Sequence, residues 1–395
     1  MPGKIIVSGS GCCLVDLLYN DIDFGGDAIR PYLSKQRGDG GLAPGKLVFR
    51  EEFEDYCGSA SDIVINLITG GRKYDKINIG GPSIVSLINA AQLTGNEMCE
   101  VNFYGRGGRD EKGRYLISSL KNTPVFLKDY KLIDNLTPST VVLSDPSFDN
   151  GHGERVFINS IGAAGDFSPD DLGEDFFDCH IAAFGGTALV PQIHDNLTSL
   201  LRKSKSNICL TLVNTVFDFR NEKANPLEKW PVGGSDESYA YIDLLITDKE
   251  EALRLSGKQK INSAIRFFHD KRVSALIITD GSNNISTYSD GLNFEKYELK
   301  EFPVSLDIYS SLANFRGGDT TGCGDNFAGG VIASLVTQLY AGSKKPDLQE
   351  ACCWGIASGG HTCFYMGGTY FENQPGEKLA AIKPYYEAYK KQISH

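Results

Sequence analysis

The sequence predicts an α/β protein with a mostly parallel central sheet flanked by helices. Strand-like apolar runs alternate with helical patterns, the strands at 181–184, 208–213, 244–247 and 275–279 and the helices near 192–203, 249–255 and 261–270. Alternation at this spacing is typical of parallel strands joined by crossover helices. In addition, a glycine-rich loop at 318–330 leads into a further apolar helix. Ligands of such sheets bind at the carboxyl ends of the strands, where we expect the functional residues to lie.

Composition and charge limit the classes of partner. The 395 residues are 41% apolar and 23% charged, as in ordinary globular proteins that bury a large core. A formal net charge of −11 argues against a nucleic-acid or anionic membrane partner. No secretory signal or membrane-spanning run is visible, and the 10 cysteines show no zinc-binding spacing. We therefore expect a cytoplasmic protein with free thiols.

The chain begins with an apolar run, Ile5–Val7, that predicts a buried strand ending near Gly9 and Gly11. The spacing of these two glycines suggests a dinucleotide site, but Leu14 stands where a third glycine would be expected. The dinucleotide interpretation is therefore disfavoured. Asp16 follows as either a solvated loop acid or a ligand-binding residue.

The next segments predict an insertion and then a helix. Between about 21 and 76, glycines and charges interleave with short apolar runs, which indicates β hairpins and loops with one helix around 52–56. Gly80-Gly81-Pro82 then opens an apolar helix that stops at Gly95, because proline suits a first helical turn and glycine suits an end.

Two later segments carry charged side chains beside expected strand ends. The glycine-rich segment 105–113 contains Arg106 and Arg109, which are either solvated or able to bind an anionic group. Asp248 and Glu251 follow the strand at 244–247, where they suit either a helix start or a site for metal and phosphate.

The loop at 318–330 offers the clearest chemistry. Its small residues allow close backbone approach, and the first turn of the following helix leaves N–H groups free to bind an anion such as phosphate. Asp325 at the rim of this loop is suited to accept a proton or to hold a metal. Together the loop and the carboxylate are the minimum equipment for moving a phosphoryl group onto a hydroxyl. The alternative is that the glycines allow tight packing and Asp325 caps the helix.

This loop resembles the C-terminal signature of the PfkB (ribokinase-like) family of sugar and nucleoside kinases, Asp-Thr-x-Gly-Ala-Gly-Asp. Cys323 stands where alanine is usual. Further matches follow in family order: Gly11-x-x-x-x-Asp16, Gly80-Gly81, the glycine pattern of 105–113, Gly153-Glu154-Arg155, Asp248-x-x-Glu251 and Thr279-x-Gly281. Val85 departs from the family, which usually has asparagine there as an acceptor contact. This departure affects which acceptor is bound, and it leaves the residues expected to carry out phosphoryl transfer unchanged.

The resemblance implies one ribokinase-like domain over residues 1–395, with a small β lid formed by insertions at about 17–78 and about 124–160. It implies ATP as co-substrate, Mg²⁺, and K⁺ as a further cation. The implied catalytic residues are Asp325 as base and Gly322, Cys323 and Gly324 as amide donors to the transferred group. The implied acceptor-binding residues are Asp16, Gly80 and Gly81. The implied nucleotide-binding residues are Asp248, Thr279, Gly281 and Thr321, with Glu251 for Mg²⁺ and Asp319 for a monovalent cation.

These expectations lead to an ATP-dependent kinase that phosphorylates a small molecule, namely a sugar or a sugar derivative. A nucleoside kinase of the adenosine type keeps the same chemistry and is the alternative. An already phosphorylated acceptor suits a pocket that Arg106 or Arg109 faces. A sugar- or nucleotide-binding protein without catalysis is the alternative from another class, and Asp325 argues against it because a pure binder needs no base. In this family exposed lid strands often pair between subunits, which allows a homodimer.

Overall fold

The structure is a computed structural model that describes residues 3–36, 38–151, 153–313, 315 and 317–394, with only the backbone of residues 150 and 151. The strands are β1 (Ile5–Gly11), β2 (Leu14–Tyr19), β3 (Leu47–Phe49), β4 (Lys76–Gly80), β5 (Cys99–Gly108), β6 (Phe126–Ile133), β7 (Ser139–Asp145), β8 (Glu154–Ser160), β9 (Ile181–Gly185), β10 (Leu210–Asn214), β11 (Leu244–Asp248), β12 (Ala275–Thr279), β13 (Ile285–Ser289) and β14 (Tyr297–Phe302).

The α-helices connect and cover these strands. They are α1 (Arg50–Cys57), α2 (Ser61–Ile68), α3 (Pro82–Met98), α4 (Glu111–Leu120), α5 (Phe148–Gly151), α6 (Pro191–Asp195), α7 (Leu197–Ser206), α8 (Phe219–Ala224), α9 (Lys249–Ser256), α10 (Ile261–Asp270), α11 (Leu306–Leu312), α12 (Cys323–Tyr340), α13 (Leu348–Thr362) and α14 (Glu377–Ile393). None of these described helices is both long and apolar enough to pass through a lipid bilayer.

A large sheet forms the centre of the molecule, with the strand order β14-β13-β12-β11-β10-β9-β1-β5-β6. Neighbouring strands from β12 to β6 run parallel, and β13 and β14 continue the sheet in antiparallel pairing. The strands predicted from the apolar runs coincide with β9 to β12, and the predicted mostly parallel sheet is confirmed. The β1 strand lies between β9 and β5, so Gly11 at its carboxyl end is central in the sheet.

Helices cover both faces of the large sheet, and each face has its own apolar core. On one face α12 packs closely between α3 and α13. A Cβ at Gly329 would lie 2.5 Å from the Ser86 carbonyl oxygen, and one at Gly330 would lie 2.5 Å from the Trp354 carbonyl oxygen. Only glycine allows this approach, which holds the start of α12 at a defined place above the sheet.

A second, small sheet with the order β3-β8-β7-β2-β4 packs against α1 and α2 around its own apolar core. Only Cys12 and Cys13 separate β1 from β2, so the small sheet begins where the central strand of the large sheet ends. This short connection brings Asp16, on β2, close to the carboxyl ends of the parallel strands.

Two features of the insertions differ from the prediction. The segment at about 124–160 was expected to belong to the small sheet as a whole, but β6 pairs in parallel with β5 and forms the edge of the large sheet. Of this segment, only β7 and β8 enter the small sheet. In the first insertion the helix expected around 52–56 is confirmed as α1, with Phe53 buried. A second helix that was not expected, α2, follows it and buries Val64 and Ile68.

Candidate active site

The loop before α12 holds Asp325 in the first helical turn, above the carboxyl ends of the strands. Gly322 precedes the helix with φ = 76°, a left-handed conformation that favours glycine. A Cβ at Gly322 would lie 2.4 Å from the Cα of Gly368, so the loop also needs glycine for contact with the segment after α13. Asp325 is half-buried, and burial raises its pKa to about 7. This carboxyl group therefore exchanges its proton near neutral pH.

Asp16 lies in the same acidic region and is almost fully buried, with 6% of its surface exposed. Its pKa is raised to about 8, mainly by burial and also by the negative charges of Asp325 and Asp319. The Asp16 carboxylate lies directly against Gly80, where a Cβ would stand 2.0 Å from Oδ2. Gly81 has φ = 105° and a Cβ there would lie 2.6 Å from the Cys12 carbonyl oxygen. The structure thus brings together Asp16, Gly80 and Gly81.

Arg155 joins the small sheet to the loop before α12. From β8 its guanidinium donates to the hydroxyl of Thr320 at 2.8 Å and to the hydroxyl of Thr321. Its positive charge also lowers the pKa of Asp16. Arg155 was not among the expected site residues, although the Gly-Glu-Arg motif had marked its segment as part of the lid and acceptor pocket.

Asp319, the expected monovalent-cation residue, is held mainly by backbone amides. Its Oδ1 accepts from the Thr321 N–H at 2.8 Å, and both oxygens accept from the Gly367 N–H at 3.4 Å. The nearby Met366 carbonyl accepts from the Lys76 ammonium at 2.5 Å. Each carboxylate oxygen can accept further contacts, so these hydrogen bonds do not exclude a cation. The assignment of Asp319 to a monovalent cation stays a prediction.

Asp248 and Glu251 form a second acidic pair, at the start of α9. Asp248 caps the helix by accepting from the Glu251 N–H at 2.7 Å. The Glu251 side chain accepts from the Thr215 hydroxyl at 2.5 Å and the Thr247 hydroxyl at 3.3 Å. The pKa of Glu251 is raised to about 8, mainly by burial and also by the negative charge of Asp248. The intervening Lys249 pairs instead with Asp280 at 2.7 Å.

This second pair fits a divalent cation. Glu251 is buried and Asp248 is exposed at the end of β11, and the negative charge of Asp248 disfavours ionisation of Glu251. A nearby positive charge would favour the ionised pair, and carboxylate oxygens are ligands that Mg²⁺ prefers. Among the described residues no group of three or more His, Cys, Asp or Glu side chains is placed to hold a metal. Mg²⁺ is commonly bound by one or two carboxylates together with water and substrate phosphates, so a pair is sufficient. The helix-start and metal interpretations of Asp248 are therefore compatible.

Two of the expected nucleotide residues, Thr279 and Gly281, lie beside this pair, whereas Thr321 lies in the loop before α12. Thr279, the last residue of β12, pairs with Asp248 of β11, and Gly281 follows with φ = 56°. Their chain neighbours Lys249, Asp280 and Ser282 line a cleft of about 550 Å³. Neither this cleft nor a larger one of about 840 Å³ is lined by an expected site residue.

The two arginines considered for an anionic acceptor have other surroundings. Arg106 is buried, its guanidinium donates to Asp171, and it lies over the ring of Phe167 at 5.7 Å. Arg109 is exposed. Neither arrangement supports an already phosphorylated acceptor.

Cys323 contributes its backbone to the loop, while its side chain points toward α13. Its Sγ lies 3.5 Å from the Sγ of Cys363. The thiol is therefore directed at a neighbouring helix, which explains why a cysteine is accommodated where the family motif has alanine.

The arrangement as a whole combines a group that exchanges protons near pH 7, a helix start suited to a phosphate, and an acidic pair suited to a divalent cation. Asp16, Asp319 and Asp325 come together on one side of this region, and Asp248, Glu251, Thr279 and Gly281 come together at adjacent strand ends. These are the elements that phosphoryl transfer to a hydroxyl requires.

Comparison with known proteins agrees with this chemistry. The model of the pfkB family carbohydrate kinases matches residues 73–374, whereas a search of curated proteins found no match. Among solved structures, adenosine kinase from Anopheles gambiae has 20% identity and a TM-score of 0.65, covering 91% of this chain and 96% of that chain. Adenosine kinase from Sinorhizobium meliloti has 15% identity and a TM-score of 0.68, covering 96% and 99%. Ribokinase from Thermotoga maritima has 15% identity and a TM-score of 0.64, covering 97% and 100%.

At these identities the solved structures show the fold alone, and they confirm the expected ribokinase-like architecture. The family model covers well over half of the sequence and includes the loop before α12 as well as β4 with its two glycines. The chain therefore belongs to the pfkB family of carbohydrate kinases.

Proposed function

We propose that the protein transfers the γ-phosphate of ATP to a hydroxyl group of a sugar or a sugar derivative. The observation that carries this proposal is Asp325, a half-buried carboxyl group with a pKa of about 7 in the first turn of α12. A base with a pKa near the working pH is the most effective at removing a proton during reaction. Its position beside a helix N-terminus places the base next to a natural phosphate site.

In this mechanism Asp325 accepts the proton of the acceptor hydroxyl as its oxygen attacks the γ-phosphorus. The N–H groups of Gly322, Cys323 and Gly324 stabilise the negative charge of the transferred group. Asp16 and the backbone of Gly80 and Gly81 orient the acceptor. Asp16, buried on β2, would hold the acceptor hydroxyls by hydrogen bonds, whereas Asp325, in the first turn of α12, would exchange the proton. The two carboxyl groups are thus suited to different tasks.

The remaining residues hold the nucleotide. Asp248, Thr279, Gly281 and Thr321 contact ATP in this proposal, and Glu251 would hold Mg²⁺ directly or through water. Bound Mg²⁺ neutralises charge on the phosphates. Arg155 is added to this set, because from the small sheet it reaches the two threonines next to the phosphate loop. The small sheet would then act as a lid that excludes water from the reaction.

A panel of acceptors tests the proposal. ADP release would be measured with ATP and Mg²⁺ against sugars, sugar derivatives and nucleosides, with Asp325→Asn as the control for hydrolysis and contaminating kinases. We expect one sugar or sugar derivative to raise ADP release far above the rate without acceptor, and Asp325→Asn to lose the increase. Stimulation by nucleosides alone would replace the sugar assignment by the alternative, a nucleoside kinase. Failure of every acceptor together with tight nucleotide binding would instead favour a binding protein.

The nucleoside alternative rests on the solved structures described above, because two of those three are adenosine kinases. Val85, in place of the usual asparagine, is buried at the start of α3 and removes a polar contact to either class of acceptor. A sugar and a nucleoside would use the same base and the same phosphate loop. The panel of acceptors therefore distinguishes the two alternatives by which class of compound raises ADP release.

A further inference from the structure

Lys378 is a buried lysine beneath the loop before α12. Only 1% of its surface is exposed. Its ammonium donates to the Oδ1 of Asn326 at 2.7 Å, and it lies 5.9 Å from the ring centroids of both Tyr365 and Tyr370. The charge of Glu372 favours the ammonium, but its carboxylate accepts from the backbone N–H of Lys378 at 2.8 Å. Among the described residues no carboxylate forms an ion pair with the ammonium, and burying an ammonium group without such a partner is costly.

Asn326, which follows Asp325, is the centre of a hydrogen-bond network that shapes the loop. It is fully buried, and its Nδ2 donates to the carbonyl of Gly322 at 2.9 Å and to that of Gly368 at 2.8 Å. These two bonds connect the first turn of α12 to the segment after α13. With the Nδ2 group used in this way, the Oδ1 group accepts from the Lys378 ammonium at 2.7 Å and, at the longer distance of 3.5 Å, from the Tyr365 hydroxyl.

Lys378 also brings a positive charge to this region. A neutral donor would satisfy Asn326 equally well, but a lysine also places a positive charge in a low-dielectric environment under a loop suited to a phosphate. Three carboxyl groups, those of Asp16, Asp319 and Asp325, already crowd this region and disfavour a further anion. Burial lowers the pKa of Lys378 to about 7, and its charge contributes to lowering the pKa of the neighbouring His361 to about 4. A bound phosphate would favour the charged ammonium.

We infer that Lys378 is a positioning residue for phosphoryl transfer: it fixes Asn326, and thereby the turn at Gly322, and its charge favours an anion on that turn. The inference rests on the proposed function, but it concerns how the phosphate loop is held rather than which acceptor is used. Lys378 does not touch the reacting atoms and acts through Asn326.

The experiment compares Lys378→Met, which removes donor and charge, with Lys378→Gln, which removes the charge and keeps a donor. Turnover, the KM values for acceptor and ATP, the Kd for ATP by calorimetry, and the melting temperature would be measured for each. Lys205→Met is the control, since Lys205 is a half-buried lysine that pairs with the buried Asp243 at 2.7 Å, before β11 at the amino ends of the strands.

We expect Lys378→Met to lower kcat about tenfold to a hundredfold and to weaken ATP binding, with the acceptor KM unchanged, because hydrogen bonds to charged groups are the stronger ones. Lys378→Gln should lie between it and the wild type. Lys205→Met should lower the melting temperature, because it leaves a buried carboxylate unpaired, but should keep the wild-type kcat and ATP affinity. A purely structural role for Lys378 would give the pattern of Lys205→Met, and that result would overturn the inference.

A double-mutant cycle with Asn326→Ala tests the route of the effect. If Lys378 acts through Asn326, Lys378→Met should cause little further loss in the Asn326→Ala background. Additive losses, or wild-type ATP affinity in Asn326→Ala, would refute the inference. Where Lys378→Met does not fold, Lys378→Gln and Asn326→Ala decide by the same criteria. Where the wild type turns over no acceptor, the proposed function fails, and the ATP Kd values still decide the role of Lys378.

Discussion

Two acidic pairs lie at the carboxyl ends of the strands, and they differ in what surrounds them. Asp16 and Asp325 are contributed by separate elements, β2 and α12, with Arg155 as the nearby cation. Asp248 and Glu251 lie in one helical turn, and their partners are hydroxyl and amide groups, because Lys249 turns away to Asp280. Burial raises the pKa of both Asp325 and Glu251.

The difference indicates two uses of the same chemical group. A carboxyl group close to pKa 7 beside a helix N-terminus is suited to move a proton. In the Asp248–Glu251 pair the ionisation of Glu251 is disfavoured, and in the part of the chain that the structure describes no ammonium or guanidinium forms an ion pair with either carboxylate, so this pair is suited to bind a divalent cation. We therefore call Asp16 and Asp325 the proton-transfer pair, and Asp248 and Glu251 the cation-binding pair.

The largest expected effect is that of Asp325→Asn. We expect kcat to fall about 10²- to 10⁴-fold, since this is the usual contribution of a positioned general base, with ATP affinity nearly unchanged. The wild-type kcat should rise with pH through about 7 as Asp325 loses its proton, and the residual activity of the variant should lose this dependence. Steady-state kinetics between pH 5.5 and 8.5, together with calorimetric ATP binding, measure both. Wild-type turnover in the variant would remove Asp325 from the proton-transfer pair.

Asp16→Ala should affect the acceptor only. Charged hydrogen bonds are worth about 1.5–3 kcal/mol, which corresponds to a rise of about ten- to a hundredfold in the acceptor KM. The KM for ATP should not change, because Asp16 lies on β2 and Glu251 on α9. The two KM values are compared with saturating concentrations of the other substrate. An unchanged acceptor KM would show that the two carboxyl groups do not form one functional pair.

Glu251→Gln tests the cation-binding pair. We expect about 10- to 100-fold more Mg²⁺ to be needed for half-maximal activity, the range seen when groups that support a metal are altered. The stability of the free protein, in contrast, should increase in this variant at high pH. Because the folded pKa of Glu251, about 8, lies above its ordinary value of 4.5, its ionisation reduces the stability of the free protein as pH rises from about 4.5 to 8.

The variant should therefore melt at a higher temperature than the wild type at pH 8 without Mg²⁺, and the two should converge toward pH 4.5. Thermal melts across this pH range, with and without Mg²⁺, provide the measurement. Glu250→Gln is the matched control, since Glu250 is the exposed neighbour on the same helix. Equal behaviour of the two variants would contradict the assignment of Glu251 to a cation.

Arg155→Lys addresses the connection between the proton-transfer pair and the small sheet. Lysine keeps the charge but cannot donate to Thr320 and Thr321 with the fixed geometry of a guanidinium. We expect kcat to fall about tenfold, in line with the loss of one charge-assisted hydrogen bond. Lys46→Arg, at an exposed site beside Glu250, serves as a control for the charge of the small sheet. If Arg155→Lys has wild-type kinetics, the bridge between sheet and loop is not needed for the reaction.

The sequence predicts the large sheet well because β9 to β12 are buried on both faces, and strands of this kind appear as short continuous apolar runs. It also marks Asp16, the two glycines and Asp325, because a motif records which residue types a close backbone approach allows. The sequence does not reveal tertiary contacts between residues that are far apart in the chain. Arg155 meets Thr320 across 165 residues, and Lys378 meets Asn326 across 52. From the sequence, α14 is an ordinary amphipathic helix, and nothing in its pattern distinguishes the buried Lys378 from the exposed lysines near its end.

The smallest expected effect is that of Cys323→Ala, which restores the usual family residue. In the proposed mechanism the backbone N–H of this position stabilises the transferred phosphate, while the thiol lies 3.5 Å from that of Cys363. Alanine keeps the N–H and favours a helix start at least as well, so kcat and both KM values should stay within about twofold of the wild type. Cys323→Pro, which removes the N–H, is the informative contrast, and we expect it to cost about 10²- to 10³-fold in kcat. A large loss in Cys323→Ala would mean that the thiol takes part in catalysis, and the proton-transfer pair would then not be the complete set of reacting groups.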